Sequence, residues 1–278
     1  MEGQLFVCAT PIGNMEDITL HVLRILVQVD LIAAEDTRNS IRLLNYYDIK
    51  TPMTSYHEHN KIEKAYELVE IMRQGKNIAL ITDAGTPGIS DPGEELVRIC
   101  YEEGIEVTSL PGAAACITAL TMSGQKTRRF AFEAFLSRKK KEREEILKEM
   151  AEDTRTLIVY EAPHRLLKTL TELKEALGDR KLTICRELTK AHEEKLLMTL
   201  SEAVNYYEKN KPRGEFVLVI EGKNREEIKK RERESWKDMS LEEHMAIYEE
   251  KGMTKKDAMK AVAKDRGVTK REVYQELL

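Results

Sequence analysis

Short apolar runs alternate with amphipathic stretches through the first 122 residues. Runs rich in aliphatic residues predict strands at 5–9, 31–34, 78–82 and 107–110. Between them, apolar residues recur three or four positions apart, which predicts helices at 20–29, 41–46, 62–73 and 94–103. This alternation is typical of an α/β layer with parallel strands. We therefore predict an N-terminal α/β domain over residues 1–122.

Glycine and proline are concentrated where three of these strands end. The segments are TPIGN at 10–14, DAGTPGISDPG at 83–93 and LPGAAA at 110–115. Open α/β sheets bind ligands at the carboxyl ends of their strands, so these loops predict a binding site. None matches a Walker loop or GxGxxG, which makes a triphosphate or dinucleotide site a weak interpretation. A nucleoside-type ligand held by backbone groups fits better, although an ordinary tight turn explains any one loop taken alone.

A second α/β domain is predicted over residues 125–222. Its strands are expected at 130–135, 156–160, 182–185 and 215–220, with helices in the basic run at 137–150 and at 165–176. Residues 223–238 are almost wholly charged, which favours a solvated linker or an exposed helix. We assign 223–278 to a charged linker followed by a small helical unit.

That C-terminal unit, from residue 240 onward, has the pattern of a helix, a short turn and a second helix. Gly267 is predicted to end the first helix and Thr269 to cap the second. The apolar residues at helical spacing are Ala258, Val262, Ala263, Val273 and Leu277. This arrangement is typical of helix-turn-helix modules that bind nucleic acid. A plain helical hairpin that packs on a neighbour or a dimer partner fits the pattern equally well.

Composition and charge narrow the class of protein. With 278 residues, 41% hydrophobic and 34% charged, the chain is expected to fold as a globular protein. No run approaches the roughly 18 apolar residues of a membrane span, and the start lacks the pattern of a signal peptide, so we expect a cytoplasmic protein. The net charge is −4, yet residues 126–143 hold eight basic and two acidic side chains. Four cysteines without a CxxC pair predict reduced, buried thiols and neither a zinc cluster nor a disulfide framework.

Eight motifs, in order, resemble those of the bacterial 16S rRNA cytidine-2'-O-methyltransferases, which belong to the tetrapyrrole-methylase-like superfamily. They are ATPIGN, AEDTRNS, TDAGTPGISDPG, LPGAAACITAL, FEAFLSRKKKER, YEAPHR, RELTKAHEE and GEFVLVIEG. The resemblance runs from about residue 5 to residue 222, and the C-terminal unit is similar to the helix-turn-helix extension of that family. Eight ordered motifs are far more specific than any one of them.

The resemblance implies two α/β domains of the tetrapyrrole-methylase type, with S-adenosylmethionine in the cleft between them, plus a small C-terminal helical unit. It implies a homodimer that methylates the ribose 2'-oxygen of a cytidine in the decoding centre of 16S rRNA, in the 30S subunit. Carried over position by position, the expected cofactor-binding residues are Pro11, Asp83, Gly85, Gly88, Ile89, Ala114, Ala115, Glu161, Gly214 and Glu215.

A ribose hydroxyl is a poor nucleophile, so the reaction needs a nearby group that accepts its proton. The candidates are Glu35 and Asp36 in AEDTR, His57 and His59 in HEH, His164 beside Arg165, and Glu187 with Lys190. From these we select Asp36, His164 and Glu187 as candidate catalytic residues. The alternatives that stay open are a salt-bridged helix start for Asp36, helix capping for His164, and an ion pair with Arg186 or Lys190 for Glu187. HEH has no evident third ligand, so we interpret its histidines as solvated and predict no metal site.

Basic residues are the candidate RNA contacts, because lysine and arginine neutralise phosphates without reading sequence. They are Arg38, Arg138, Lys139, Lys140, Lys141 and Arg165. An exposed helix start is the alternative for the run at 138–143. Two other functions stay open at this point: a small-molecule methylase acting on a tetrapyrrole, and a non-enzymatic DNA-binding regulator that uses residues 269–278 as a recognition helix.

Overall fold

The computed structural model describes residues 2–226, 236 and 239–277, and the chain forms two units. The first unit comprises residues 2–151 and 155–221 and contains two β-sheets. The second comprises residues 152–154 and the chain from residue 222 onward. Among the described residues, no helix is both long enough and apolar enough to cross a membrane.

The first sheet has five parallel strands in the order β3-β2-β4-β1-β5. Its strands are β1 (Leu5–Cys8), β2 (Leu31–Ala34), β3 (Met53–Ser55), β4 (Ile78–Ile81) and β5 (Val107–Leu110). Its helices are α1 (Leu20–Gln28), α2 (Thr37–Tyr46), α3 (Lys61–Arg73), α4 (Gly93–Glu102) and α5 (Ala115–Met122). The four predicted strands and four predicted helices are confirmed, although α2 begins four residues earlier than expected.

Burial on both faces explains why the inner strands β1, β2 and β4 are continuously apolar. Every residue of β4 is buried, as expected for an inner strand of a parallel sheet covered by helices on both sides. On one face, Leu68 of α3 and Leu96 of α4 belong to the same core as Leu5. On the other, Leu26 of α1 and Leu44 of α2 form a separate core. Because all five strands are parallel, the loops at their carboxyl ends lie together at one end of the sheet.

The second sheet is mixed, with the order β6-β7-β10-β8-β9. Its strands are β6 (Phe130–Phe135), β7 (Thr156–Glu161), β8 (Lys181–Arg186), β9 (Glu194–Thr199) and β10 (Phe216–Ile220). Its helices are α6 (Lys140–Glu152), α7 (Leu166–Leu177) and α8 (Leu200–Lys209). Only β6 and β7 pair in parallel; the other three pairings are antiparallel.

The two sheets are joined by an apolar cluster within the first unit. Cys116, Ala119 and Leu120 of α5 are buried in the same cluster as Ile158 of β7 and Val219 of β10. This contact lies next to the loop that precedes α5, so the strand-end loops of the first sheet lie beside β7 and β10 of the second.

The four cysteines are free and buried, as predicted. Burial raises the pKa of the Cys8 and Cys100 thiols to about 12 and that of Cys185 to about 11. Thiols with such pKa values are not thiolates at neutral pH, so these three side chains act as packing groups.

The second unit contains α9 (Leu241–Glu250), α10 (Lys255–Arg266) and α11 (Lys270–Glu276). Gly267 ends α10 in the left-handed conformation, and the Thr269 hydroxyl accepts the Glu272 N–H in a capping box, so both predicted helix boundaries are confirmed. The predicted apolar residues of this unit are buried or partly buried in its core. Most of the predicted linker, 227–235 and 237–238, lies outside the described residues.

Candidate active site

A cavity of about 590 Å³ lies where the strand-end loops of the first sheet meet the second sheet. The loops after β4 and β5 form one wall, and residues at the end of β7 and the start of β10 form the other. Seven of the ten predicted cofactor-binding residues line it: Asp83, Gly85, Ile89, Ala114, Ala115, Glu161 and Glu215. The other three, Pro11, Gly88 and Gly214, each directly adjoin a residue of the cavity wall.

Backbone hydrogen bonds hold the three glycine-containing loops together. Thr10 and Gly85 exchange both amide hydrogen bonds, at 2.9 and 3.0 Å, so the loops after β1 and β4 are paired. The Thr86 hydroxyl donates to the carbonyl of Ala113 at 2.9 Å, which connects the loop after β5. Gly85 has φ +87°, a left-handed conformation that glycine adopts without strain. The loops therefore form one connected wall.

Asp91 organises the loop after β4. Its carboxylate accepts N–H groups from Gly88 at 2.9 Å, Ile89 at 3.1 Å and Gly93 at 2.8 Å. A Cβ on Gly93 would lie 2.7 Å from Asp91 Oδ1 and from the Gly88 nitrogen, so only glycine fits this turn. The sequence shows the glycines but not that one aspartate bonds to three amides.

Replacing Asp91 with alanine is expected to lower the free energy of unfolding by about 1 to 2 kcal/mol, because three amides lose their acceptor. Ligand affinity should fall as well, since Ile89 and Gly85 lie on the loop that Asp91 holds. Urea denaturation and calorimetric titration measure the two effects. Stability and ligand affinity both equal to wild type would contradict this role.

Carboxylates dominate the charge of the cavity. The acidic residues that line it are Glu35, Asp83, Asp91, Glu161 and Glu215, and none of its described lining residues is basic. Asn39 donates to Asp83 Oδ2 at 3.0 Å. Partial desolvation, followed by the nearby charges of Glu35 and Asp36, raises the pKa of Asp83 above its usual value. Such a cavity attracts cations and repels phosphates.

Asp36 does not line the cavity; its neighbour Glu35 does. Asp36 caps α2, accepting the Arg38 N–H at 2.9 Å and pairing with the Arg38 guanidinium at 2.7 Å. The hydrogen bonds from Arg38 lower the pKa of Asp36 to about 2. Glu35 Oε2 accepts the Thr82 hydroxyl and, at 3.3 Å, the amide of Asp83. The salt-bridged helix start, one of the alternatives raised by the sequence, describes the surroundings of Asp36.

His164 and Glu187 also lie outside the cavity lining. His164 is exposed in the turn between β7 and α7. Glu187 Oε1 accepts from Lys190 Nζ at 2.9 Å and from the amide of Glu215 at 3.0 Å. Partial burial acts to raise the pKa of Glu187, but these two hydrogen bonds and the charges of Lys190 and Arg186 together lower it. Lys190 also contacts Glu215 Oε2 at 2.9 Å, so the Glu187–Lys190 pair supports a residue of the cavity wall.

Glu161 is a buried carboxylate at the end of β7. It accepts from its following amide, Ala162, at 2.9 Å and from the Thr169 hydroxyl at 2.5 Å. Arg165 Nε lies 3.4 Å from Glu161, and Arg165 donates to the carbonyl of Leu136 at 2.6 Å. With its side chain 17% exposed, Arg165 is engaged within the protein, whereas the predicted RNA contacts Arg38 and 138–141 are exposed.

The aromatic part of the cavity wall was not predicted. Phe135 and Tyr160 both line the cavity, from the ends of β6 and β7. Their rings lie 5.6 Å apart in an edge-to-face arrangement. The sequence offers no periodic signal for this contact, because it depends on how β6 pairs with β7.

The fold thus places an acidic cavity between the strand-end loops of one β-sheet and the strand ends of a second. A family model described as Tetrapyrrole (Corrin/Porphyrin) Methylases matches residues 4–204 of this chain. Uroporphyrin-III C-methyltransferase from Thermus thermophilus, solved with S-adenosylhomocysteine, has a similar fold: the TM-score is 0.57 at 18% identity, over 78% of this chain and 97% of that one.

Two relatives are named ribosomal RNA small subunit methyltransferase I. The one from Bacillus subtilis is 47% identical over 98% of this chain and 93% of its own length. The one from Halalkalibacterium halodurans is 48% identical over 98% of this chain and 94% of its own length. The chain therefore belongs to the tetrapyrrole methylase family and, within it, to the ribosomal RNA small subunit methyltransferases I. It is a methyltransferase, as the sequence motifs predict.

Proposed function

We propose that this protein transfers the methyl group of S-adenosylmethionine to the ribose 2'-oxygen of a cytidine in the decoding centre of 16S rRNA, within the small ribosomal subunit. The observation that carries this proposal is the contrast between an acidic cavity and an exposed basic run, 138–141, that begins three residues beyond Phe135 of the cavity wall. The names of the relatives support ribosomal RNA as the substrate. A cytoplasmic location and a homodimer stay predictions.

The cavity suits the proposed cofactor. S-adenosylmethionine supplies a methyl group that is activated by a positively charged sulfur. Carboxylates at Asp83 and Glu35 favour a cationic ligand over an anionic one. The two connected loops of the first sheet, with Gly85, Ile89 and Ala114, form the wall that would hold it. The S-adenosylhomocysteine in the Thermus thermophilus enzyme supports the same ligand class.

Glu35 is our proposed acceptor for the proton of the ribose hydroxyl. Among the candidate proton acceptors, it is the one that lines the cavity. Both of its hydrogen bonds end on Oε2, so Oε1 is the oxygen that we assign to the substrate hydroxyl. Asp36, His164 and Glu187 stay predictions, with Asp36 held by Arg38 and Glu187 by Lys190.

The basic run is proposed to contact phosphates. Replacing Lys139, Lys140 and Lys141 together with alanine should weaken RNA binding and reduce the slope of log affinity against log salt concentration by about two to three. Cofactor affinity should not change, because none of these lysines lines the cavity. Filter binding over a salt series measures the slope. Lys174→Ala, at an exposed position on α7, is the control. An unchanged slope in the triple variant would exclude this surface.

Incubation with labelled S-adenosylmethionine tests the proposed function. Purified protein should transfer label to small ribosomal subunits that lack the modification and not to a tetrapyrrole such as uroporphyrinogen III. Label on the tetrapyrrole alone would overturn the proposal.

A further inference from the structure

Phe135 is the exposed aromatic side chain of the cavity wall. It is 50% exposed although it lines the cavity, whereas Phe216, another aromatic residue of the wall, is buried. A large apolar side chain that faces water inside a cleft is removed from water when a ligand covers it. Such a side chain therefore marks a surface that contacts a ligand.

A β-bulge directs Phe135 into the cavity. On β6, Phe132 pairs with Ile158 and Phe135 pairs with Tyr160, so three steps along β6 match two along β7. Residues an odd number apart on a regular strand project to opposite faces. The extra residue in β6 therefore brings Phe132 and Phe135 to the same side of the strand. Both phenylalanine rings contact the Tyr160 ring, with centroid distances of 4.9 and 5.6 Å.

Backbone strain accompanies this bulge. Ala134 has φ +49°, a left-handed conformation that residues with a Cβ rarely adopt. Strained positions of this kind persist where the surrounding structure holds them, and they are concentrated at functional sites. Here the strained residue immediately precedes Phe135 and sets the direction of its side chain.

Tyr160 fixes the ring of Phe135 from one side. The amide of Cys116 donates to the Tyr160 hydroxyl oxygen at 3.0 Å, which anchors the tyrosine to the start of α5. The Tyr160 and Phe135 rings meet edge to face, at an interplanar angle of 65°. Phe135 is thus held by Tyr160 and half exposed to solvent, which suits a ring on which a flat part of a ligand stacks.

The basic run begins three residues beyond Phe135, at Arg138, and three residues span at most about 11 Å. Proteins that bind single-stranded or unstacked RNA combine aromatic side chains, on which bases stack, with basic side chains that contact phosphates. Phe135 on the cavity wall and the exposed residues 138–141, which follow it closely along the chain, supply both elements.

We infer that Phe135 stacks on the base of the target nucleotide and so orients its ribose toward the cavity. This inference rests on the proposed RNA substrate and assigns the base-binding part of the site. The contact requires an unstacked nucleotide, because a base within a continuous helix presents no free face.

Steady-state kinetics of Phe135 variants on small ribosomal subunits tests the inference. Phe135→Ala should lower kcat/KM for the subunit by about 5- to 150-fold, the range that base–aromatic stacking supplies. Its dissociation constant for S-adenosylmethionine, from calorimetric titration, should stay within about twofold of wild type. Phe135→Trp should retain most of the wild-type kcat/KM. Phe130→Ala is the matched control, since Phe130 is 37% exposed on the same strand and does not line the cavity.

The possible results separate this inference from the proposed function. If the wild-type protein methylates no RNA, both the proposed function and this inference are wrong. An active wild type with an unaffected Phe135→Ala variant overturns the stacking role alone. Weaker cofactor binding that accounts for the loss would place Phe135 against the cofactor and also overturn it. A loss that Phe135→Trp does not restore would indicate a structural role, with the same consequence.

Discussion

Replacing Glu161 with alanine is expected to lower the free energy of unfolding by about 3 to 5 kcal/mol, because the largely buried guanidinium of Arg165 loses its carboxylate partner. Glu161 also accepts from the Thr169 hydroxyl, which in turn accepts from Arg143 at 2.8 Å. Arg143 is itself buried and pairs with Glu172. Removal of Glu161 therefore disturbs a connected set of charges between β7, α6 and α7.

Urea denaturation, followed by far-ultraviolet circular dichroism, measures this loss. Glu175→Ala is the control, since Glu175 is exposed on the same helix α7, and its change should stay within about 0.5 kcal/mol. Glu161→Gln should lie between the two, because an amide oxygen can still accept from Thr169 but does not balance Arg165. A loss of less than 1 kcal/mol in Glu161→Ala would contradict the role of this network.

Replacing Asp83 with asparagine is expected to weaken S-adenosylmethionine binding by about 10- to 100-fold, the effect of losing an ionic hydrogen-bond partner. Affinity of the wild type should also fall as the pH is lowered. The pKa of Asp83 is raised, so the group protonates at a higher pH than an ordinary aspartate, and the protonated form does not attract a cation. Asp83→Asn should remove that part of the pH dependence.

Calorimetric titration from pH 7.5 down to about pH 4, close to the ordinary pKa of an aspartate, measures both effects. Asp48→Asn is the control: Asp48 pairs with Lys50 on the surface and lies outside the cavity lining, so its affinity and pH profile should match wild type. Equal affinity of Asp83→Asn and wild type across this range would exclude Asp83 from the binding site.

Strands β1, β2 and β4 of the first sheet could be predicted because buried parallel strands have continuous apolar runs, as IALI in β4 has. Three of the missed elements lack a clear period, whereas helix α8 was missed although its buried residues are three or four positions apart and follow a capping box. Helix α5, ACITALTM, is apolar on nearly all sides and gives no amphipathic pattern. Strand β9 alternates between exposed and partly buried residues at a sheet edge, and β3 has only three residues. In the second unit, Gly267 and Thr269 marked the helix ends by their own chemistry.

The candidate site was predictable as a set of loops but not as a set of side-chain directions. Glycine-containing motifs located the cavity wall, including Gly85 and Ala114. Glu35 and Asp36 are neighbours in one motif, and only the start of α2 determines that Glu35 faces the cavity while Asp36 caps the helix. Phe135 depends on a bulge at Ala134, a residue that carries no sequence signal for a left-handed conformation.

The most direct test of the central claim is to locate the transferred methyl group on the RNA. Small ribosomal subunits that lack the modification are incubated with the protein and methyl-tritiated S-adenosylmethionine, and the 16S rRNA is then mapped by nuclease protection and hydrolysed with alkali. We predict label at one cytidine in the decoding centre, in an alkali-resistant dinucleotide, because a methylated 2'-oxygen cannot attack the adjacent phosphate. Label that alkali releases in mononucleotides would mean methylation of a base and would contradict the proposed 2'-O-methylation.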